Sequence, residues 1–439
     1  MRNRIILLAF IAMTFGVSGQ EFSLFEAQSH ALENAEDIKR AELDLESAEK
    51  QVVETRAIGL PQIQSEMNFQ NFLSIPVQVV DGAFIGQPGT LVSFRAGTDY
   101  NTNAGITMNQ LIFDGSYIIG LQVSKFYTEF VSTSIKRSQQ QVLFDVTRAY
   151  EMALISEKNK SFIDTLVEIT EDLKEKQTQL FEVGLIPQEE IDQTNYSLLT
   201  AKTNQTAADL AYKNALTMLK MTMAYPIDNE INLTDDLDNL LKEQLTDLSG
   251  NIENNLQLEL LQKQKVLSEY DLKNIKMRNL PRLAGFFNHQ YNAYRNEFNF
   301  FDSNEEWFEQ TVWGVSLTIP IFASGDRWAK TQKAKIAVKQ DEYAIQQLER
   351  SLQAQEIRIK NNLISARKNL ELQGENIKLA RKIYDNSLVK AEIGKENSIL
   401  VTQKYNQLIS AQTQYVNAMM DVFNAKLELD QLYNKINRQ

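Results

Sequence analysis

The chain has 439 residues, 43% of them apolar, with 17 Gly, 7 Pro, no Cys and a formal net charge of -12. The absence of thiols excludes disulfides, thiol catalysis and thiolate metal sites, and an acidic balance disfavours nucleic acid, whose phosphates call for Lys and Arg. The two histidines, His30 and His289, stand far apart in sequence with no partner cluster, so no metal or other cofactor is expected.

Residues 1–19 read as a secretory signal peptide. Arg2 and Arg4 supply the charged end, Ile5 to Val17 a short apolar core, and Val17-Ser18-Gly19 the small residues of a cleavage site. The mature chain is then expected to start at Gln20 and to be exported. No later stretch stays apolar for the roughly 20 residues that a spanning helix needs, so any membrane-embedded part has to be strands of a closed barrel.

A helical segment follows and ends at Leu60-Pro61. A strand is predicted at about residues 62–72, where Gln62, Gln64, Glu66, Asn68 and Gln70 face one way and Ile63, Met67 and Phe69, with Ser65 among them, the other. After a loop, a second strand at about 102–113 alternates Ala104, Ile106 and Met108 with Gly105, Thr107 and Asn109. From Ser116 to Val183 there is no proline and one glycine, Gly120, which predicts a single helix roughly 100 Å long. Leu166, Leu173 and Leu180 recur every seventh residue, with Phe162, Ile169 and Val183 interleaved and Lys176 interrupting that row; such spacing marks a coiled-coil seam. Gly184 can take the left-handed conformation that stops a helix. Pro187 suits the first position of the next helix, and Gln188, Glu189 and Glu190 fill a first turn where negative charge meets the helix dipole. A sharp tip is therefore expected near residues 184–188, with a long helix returning from it. Pro226 to Gly250, with Asp235, Asp236 and Asp238, is polar and acidic and reads as a link holding a short helix.

The chain then repeats itself. Ala57-Ile58-Gly59-Leu60-Pro61-Gln62-Ile63 returns as Met277-Arg278-Asn279-Leu280-Pro281-Arg282-Leu283, and Gly105-Ile106-Thr107-Met108 returns as Gly314-Val315-Ser316-Leu317. Ile112-Phe113-Asp114-Gly115 returns as Ile321-Phe322 with Gly325 one residue late, and Glu182-Val183-Gly184 returns as Glu392-Ile393-Gly394. Four matches in one order, at an offset of about 210 to 220 residues, mark a duplication. Repeat 1 is placed at residues 20–230 and repeat 2 at 231–439. The second copy has strands at about 282–294 and 311–322, a proline-free stretch from Asp326 to Ile393 with one glycine, Gly374, and a tip near 394–398 where Gly394 stops the helix and Asn397 or Ser398 caps the next.

The strands admit two explanations. An amphipathic sheet can pack on a soluble core, or it can form a barrel wall with lipid outside and water inside. Strand lengths of roughly ten residues suit a tilted membrane strand, and Tyr291, Tyr294, Phe298, Phe300, Trp307 and Trp313 crowd the second strand pair as an interfacial girdle would. Both features favour the wall. Four strands cannot close a barrel, since small barrels need about eight, so a wall requires oligomerisation.

The duplication, the Leu-Pro strand entries, the Gly-to-Gly strand ends and the tips Val183-Gly184-Leu185-Ile186-Pro187 and Ile393-Gly394 together resemble the TolC-like outer-membrane efflux proteins, over essentially all of the mature chain. The resemblance implies a mixed α/β membrane protein, mainly long α-helical coiled-coil hairpins in two tandem repeats. Each repeat would contribute two antiparallel strands to a trimeric 12-stranded β-barrel, and the helices would form a tunnel across the periplasm of a Gram-negative bacterium. It implies a homotrimer in outer-membrane lipid, working with a periplasmic adaptor protein and an inner-membrane pump or type I secretion transporter, with no ATP site and no chemistry of its own. By position it carries an adaptor-binding tip onto Gly184, Leu185, Pro187 and Glu190, with Gly394 and Ser398 in the second copy. Some relatives close the tip with an arginine where this chain has Glu396, and carry aspartates where it has Leu400 and Gln403. Those three positions are the candidate gate, with Leu400 as an apolar constriction.

The function expected is passive export through an outer-membrane exit duct. The alternative is a non-pore periplasmic coiled-coil tether or adaptor, which shares the leader and the long helices but leaves the two-faced strands unexplained. An enzyme is not expected. The many carboxylates lie on rod-like helices and read as solvated surface charge, and no phosphate loop or nucleophile motif is present.

Overall fold

The computed structural model describes residues 20–86, 88–244 and 248–436, so the expected signal peptide at 1–19 lies outside the described residues. The elements in chain order are β1 (Gln20–Phe22), α1 (Leu24–Asn34), α2 (Glu36–Ala57), β2 (Gln62–Asn71), β3 (Val77–Asp81), β4 (Leu91–Arg95), β5 (Tyr100–Phe113), α3 (Gly115–Glu182), α4 (Gln188–Thr222), β6 (Ile231–Leu233), α5 (Leu237–Gln244), α6 (Leu256–Met277), β7 (Arg282–Arg295), β8 (Phe308–Thr318), α7 (Asp326–Glu392) and α8 (Ser398–Leu432). The duplication is structural as well as sequential. α2 and α6 have 22 residues each, α3 and α7 have 68 and 67, and α4 and α8 have 35 each.

The chain divides into two compact units. One holds the residues up to Leu43, Ser132–Leu261 and those from Ala344 onward; the other holds Asp44–Val131 and Gln262–Tyr343.

The first unit is helical apart from the parallel pair β1–β6, in which Gln20, Glu21 and Phe22 register with Ile231, Asn232 and Leu233. Ser23 starts α1 through a capping box with Glu26, each side chain satisfying an orphan N–H of the other residue. Ala27, Ala31, Ala149 and Ala153 are buried in one core with Phe22, Tyr150, Leu219 and Phe423; alanines there let helices approach closely. The buried Tyr150 hydroxyl donates to the Phe22 carbonyl at 2.9 Å, so its one polar atom is satisfied. A second core contains Leu166, Leu173, Tyr384, Leu388 and Leu408, with Phe162 and Ile169 packed against it, so the seam predicted from the seven-residue spacing holds as far as Leu173, whereas Leu180 lies outside this core and Val183 is 70% exposed at the tip. Lys176 interrupts the seam because it reaches Asp172 at 2.7 Å and Glu392, on the other long helix, at 2.8 Å. Those two carboxylates, Asp172 first, hold the ammonium above the ordinary lysine range. The acidic link contributes β6 and α5, whose Leu237 and Leu240 enter the first core.

The second unit is organised by a four-stranded antiparallel sheet in the order β2-β5-β7-β8. The central β5–β7 pairing joins a strand of one repeat to a strand of the other, from Tyr100↔Arg295 to Phe113↔Leu283, with a bulge between Leu111 and Phe113. β8 ends at Thr318 rather than near residue 322, because Pro320 lacks a ladder donor and restricts the residue before it. The connection read as a loop between the first two strands contains the hairpin β3–β4, registered from Val77↔Arg95 to Asp81↔Leu91. Asp114 starts α3 by accepting from the Ser116 and Tyr117 amides at 2.7 and 3.2 Å. Burial acts to raise its carboxyl, but bonds from Ser116 and Tyr117 and the Arg282 guanidinium hold it below the usual range.

Candidate functional site: a two-faced sheet and a laced helical tip

The sheet of the second unit carries one apolar and one polar face in continuous register. Ile63 pairs with Met108, which pairs with Phe287, which pairs with Trp313. Two residues further along each strand, Ser65, Ile106, His289 and Thr311 follow on the same face. Ile63, Met67, Trp313, Val315 and Leu317 are all more than half exposed. A sheet resting on a soluble core would cover these side chains, so that explanation fails for the chain as it stands. Polar side chains interrupt the apolar face at Ser65 and at a set on β7 and β8, where His289 Nδ1 lies 2.8 Å from the Thr311 hydroxyl, which donates to Glu309 at 3.3 Å. The opposite face is rich in carboxamides. Gln64 registers with Thr107 and Asn288, and Asn68 with Asn103 and Asn292. Asn68 Nδ2 donates to Asn103 Oδ1 at 3.1 Å, and Gln290 Nε2 donates to Gln310 Oε1 at 2.8 Å. At one end of the sheet Phe69, Tyr100, Phe298 and Phe300 contact one another with ring centroids 5.6–6.4 Å apart. Aromatic side chains gather in girdles where a barrel wall meets the membrane interface. Among the described residues no helix is long and apolar enough to cross a membrane.

The tip belongs to the first unit. Both long helices stop in the same way. Gly184 and Gly394 have φ of 77° and 68°. The Leu185 amide bonds the Leu180 carbonyl and the Lys395 amide bonds the Lys390 carbonyl, both at 2.8 Å, closing a Schellman turn over each helix end. Pro187 is not the first helical residue. It is the cap before Gln188, extended at φ -78° and ψ 161°, and makes no side-chain bond because a proline ring has no acceptor. Asn397, not Ser398, caps α8, accepting from the Leu400 amide at 3.0 Å.

Glu190 does more than decorate its own first turn. Its Oε2 accepts from the Ser398 amide at 2.5 Å, so the first hairpin caps a helix of the second. Beneath this bond lies a polar cluster that contains no charge. Gln177 Nε2 donates to Ser398 Oγ at 2.9 Å, Thr194 Oγ1 donates to Gln177 Oε1, and Thr194 Oγ1 also lies 3.1 Å from Ser398 Oγ. Thr402 extends the cluster, 2.6 Å from the Ser197 hydroxyl. Gln177, Thr194 and Ser398 are all 2% exposed or less, so the bonds among these three are made out of water. Around the cluster the rim is apolar and open: Val183, Leu185, Ile393 and Ile399 are all more than half exposed.

Of the residues singled out in sequence, Glu190 and Ser398 are thus brought together, while Gly184, Leu185, Pro187 and Gly394 lie exposed in the two turns. Glu396 folds back on its own hairpin, accepting from the Ser387 hydroxyl at 2.6 Å, and Leu400 and Gln403 are exposed on the first turns of α8. Sequence reasoning misses Gln177, Thr194, Ser197 and Thr402. The only sequence signal for them is the polar pair Lys176-Gln177 breaking an apolar row. No group of His, Asp or Glu among the described residues is arranged to hold a metal ion. Burial pushes the Tyr384 hydroxyl up to about 12, leaving it a neutral packing group.

The outer membrane efflux protein family matches the chain over residues 27–224 and 251–435. The chain belongs to this family. As an outer membrane efflux protein it is a subunit of an outer-membrane exit duct of efflux systems, and its place is the outer membrane of a Gram-negative cell. The fold agrees. The CmeC outer membrane channel of Campylobacter jejuni is similar with a TM-score of 0.69 at 15% identity, over 94% of this chain and 85% of that one. The transmembrane channel protein CusC is similar with a TM-score of 0.73 at 11% identity, over 93% and 91%. The open state of the Neisseria gonorrhoeae MtrE outer membrane channel gives 0.69 at 13% identity, over 95% and 90%. None of the curated proteins matches this efflux protein in sequence.

Proposed function

We propose that three copies of this efflux protein close one twelve-stranded barrel in the outer membrane and that cargo passes through it without chemistry. Cargo would be delivered by an inner-membrane pump through a periplasmic adaptor. The observation that carries this reading is the sheet: among the described residues it has two unpaired edges, β2 and β8, and an apolar face on which Ile63, Met67, Trp313, Val315 and Leu317 are left more than half exposed. Open edges and a lipid-like face are both satisfied at once when identical sheets join edge to edge into a cylinder. Four strands from each of three subunits give a barrel with room for a water-filled interior.

Helical faces support the same assembly. On α4, Tyr196, Leu199, Leu210 and Met221 are more than half exposed; on α7, so are Ile357, Ile364, Leu372 and Leu379, at intervals of seven or eight residues. Uncovered seams of this spacing ask for a helical partner. At the tip, Gly184, Leu185, Pro187, Glu190 and Gly394 form the surface proposed to meet the adaptor, through the apolar rim; Ser398, expected to share that surface, is 1% exposed and supports it from beneath instead.

Purified in detergent, the protein is expected to run as a trimer and to give ion-conducting channels in a planar bilayer. A protein that stays monomeric and water-soluble without detergent would remove the barrel from the proposal. Release from membranes by salt, without conductance, would instead favour a periplasmic tether. Leu400, 41% exposed in the first turn of α8, is proposed as an apolar constriction when three tips converge. Leu400→Ser is then expected to raise single-channel conductance about twofold or more, since a hydrophobic constriction blocks by dewetting. Unchanged conductance would dismiss Leu400 as a gate and leave the duct standing.

A further inference from the structure

The polar face of the sheet has a feature that the duct alone does not require. On that face β2 presents four carboxamides and one carboxylate, Glu66, the fifth of its ten residues. The strands registered beside it add Asn, Gln, Thr, Ser, Gly and a few apolar groups, and one cation, Arg282 at the sheet's end. Arg282 lies 3.6 Å from Asp114 and is neutralised by it. Glu66 has no such partner: its Oε1 accepts from Asn68 Nδ2 at 3.3 Å, and no cation pairs with it among the described residues. Directly across from it stands Gly105, with no side chain to cover the carboxylate. That position has to stay bare, because a Cβ there would lie 2.6 Å from the Gln290 Cβ and 2.7 Å from the His289 carbonyl oxygen.

We propose that Glu66, repeated three times at one height of the barrel, is a charge-selective ring that favours cationic over anionic solutes. The proposal rests on the trimeric barrel above. Symmetry places the three carboxylates around one axis, and every other polar group near that level is neutral, so nothing cancels their field. Low-dielectric walls concentrate the field of such a ring in the water it encloses, and rings of acidic side chains are a general means of cation selection. A carboxamide lining supplies hydrogen bonds to cargo of any charge, so the ring is what sets the sign of preference.

The test uses the full-length trimer in a planar bilayer under a KCl gradient at low salt, where screening over a Debye length of about 10 Å leaves the ring effective. The reversal potential of the wild-type channel should report a preference for K⁺ over Cl⁻. Glu66→Gln should lower that permeability ratio about threefold, and Glu66→Lys should move it further in the same direction. Because the chain has no cysteine, Glu66→Cys offers one thiol per subunit to water-soluble methanethiosulfonates. A sulfonate-bearing reagent should restore the K⁺ preference, and an ammonium-bearing one should push the channel toward Cl⁻. Channels from Glu66→Gln and Glu66→Lys that conduct with the wild-type reversal potential would overturn the ring, as would a Glu66→Cys channel whose new thiol is never reached by reagents in water. A wild-type protein that forms no channels would remove the barrel itself, and the ring with it.

Discussion

Val315→Lys is expected to prevent recovery of a folded trimer from the outer membrane, whereas Ser316→Lys, one residue along the same strand, should leave it intact. Val315 shares its face with Trp313 and Leu317 and registers with Gly285 of β7; Ser316 faces the other way, registered with Ala284. If the apolar face meets lipid, each lysine placed there costs about 2–4 kcal/mol near the bilayer midplane. Three subunits would together lose about 6–12 kcal/mol, comparable to the whole folding stability of an ordinary domain. The same lysine on the polar face stays in water and costs little. Heat-resistant trimer on a gel, quantified in outer-membrane fractions, reads the difference, and Val315→Thr controls for loss of side-chain volume. Equal loss from both lysine variants would mean that the two faces do not see two solvents.

This contrast is legible in the sequence because alternation is a local property. Gln62 to Gln70 announces both the strand and its two faces without reference to any other residue. The turns are legible for the same reason, since Gly184 and Gly394 act within a few residues of themselves. What escapes is what depends on distant partners. In sequence the Glu190 carboxylate looks like ordinary first-turn charge, because its real partner, the Ser398 amide, is 208 residues away. Lys176 looks like a flaw in a seam until the fold sets Glu392 beside it. The hairpin β3–β4 is a different kind of omission. Val77 and Val79 in one strand, and Val92 and Phe94 in the other, recur with the same period as in the longer strands, and Gly86 and Gly89 mark the turn with positive φ, but strands of five residues are short enough to pass for loop. Pro187 is displaced by one position because a missing N–H is harmless both at a cap and just after it.

The polar cluster beneath the tip yields the sharper stability prediction, because its members have no water to fall back on. Gln177 connects three helices: its amide donates to Ser398 on α8, and its carbonyl accepts from Thr194 on α4. Gln177→Leu keeps the volume but removes two buried hydrogen bonds, leaving the Thr194 hydroxyl the Glu190 carbonyl at 3.0 Å and the Ser398 hydroxyl at 3.1 Å. Each buried hydrogen bond contributes about 0.5–1.5 kcal/mol net, so a loss of about 1–3 kcal/mol is expected, concentrated at the tip. Hydrogen exchange in the first turns of α4 and α8 should accelerate well before the rest of the helical unit responds. The further variant Gln177→Leu/Thr194→Val/Ser398→Ala should regain most of the loss, since replacing a whole hydrogen-bonded set by apolar groups of similar shape is close to neutral. The Glu190 bond to the residue-398 amide is retained in that variant, so its recovery would isolate the side-chain cluster from the backbone cap. A Gln177→Leu protein exchanging at the wild-type rate would mean that the two hairpins are held at the tip by packing alone.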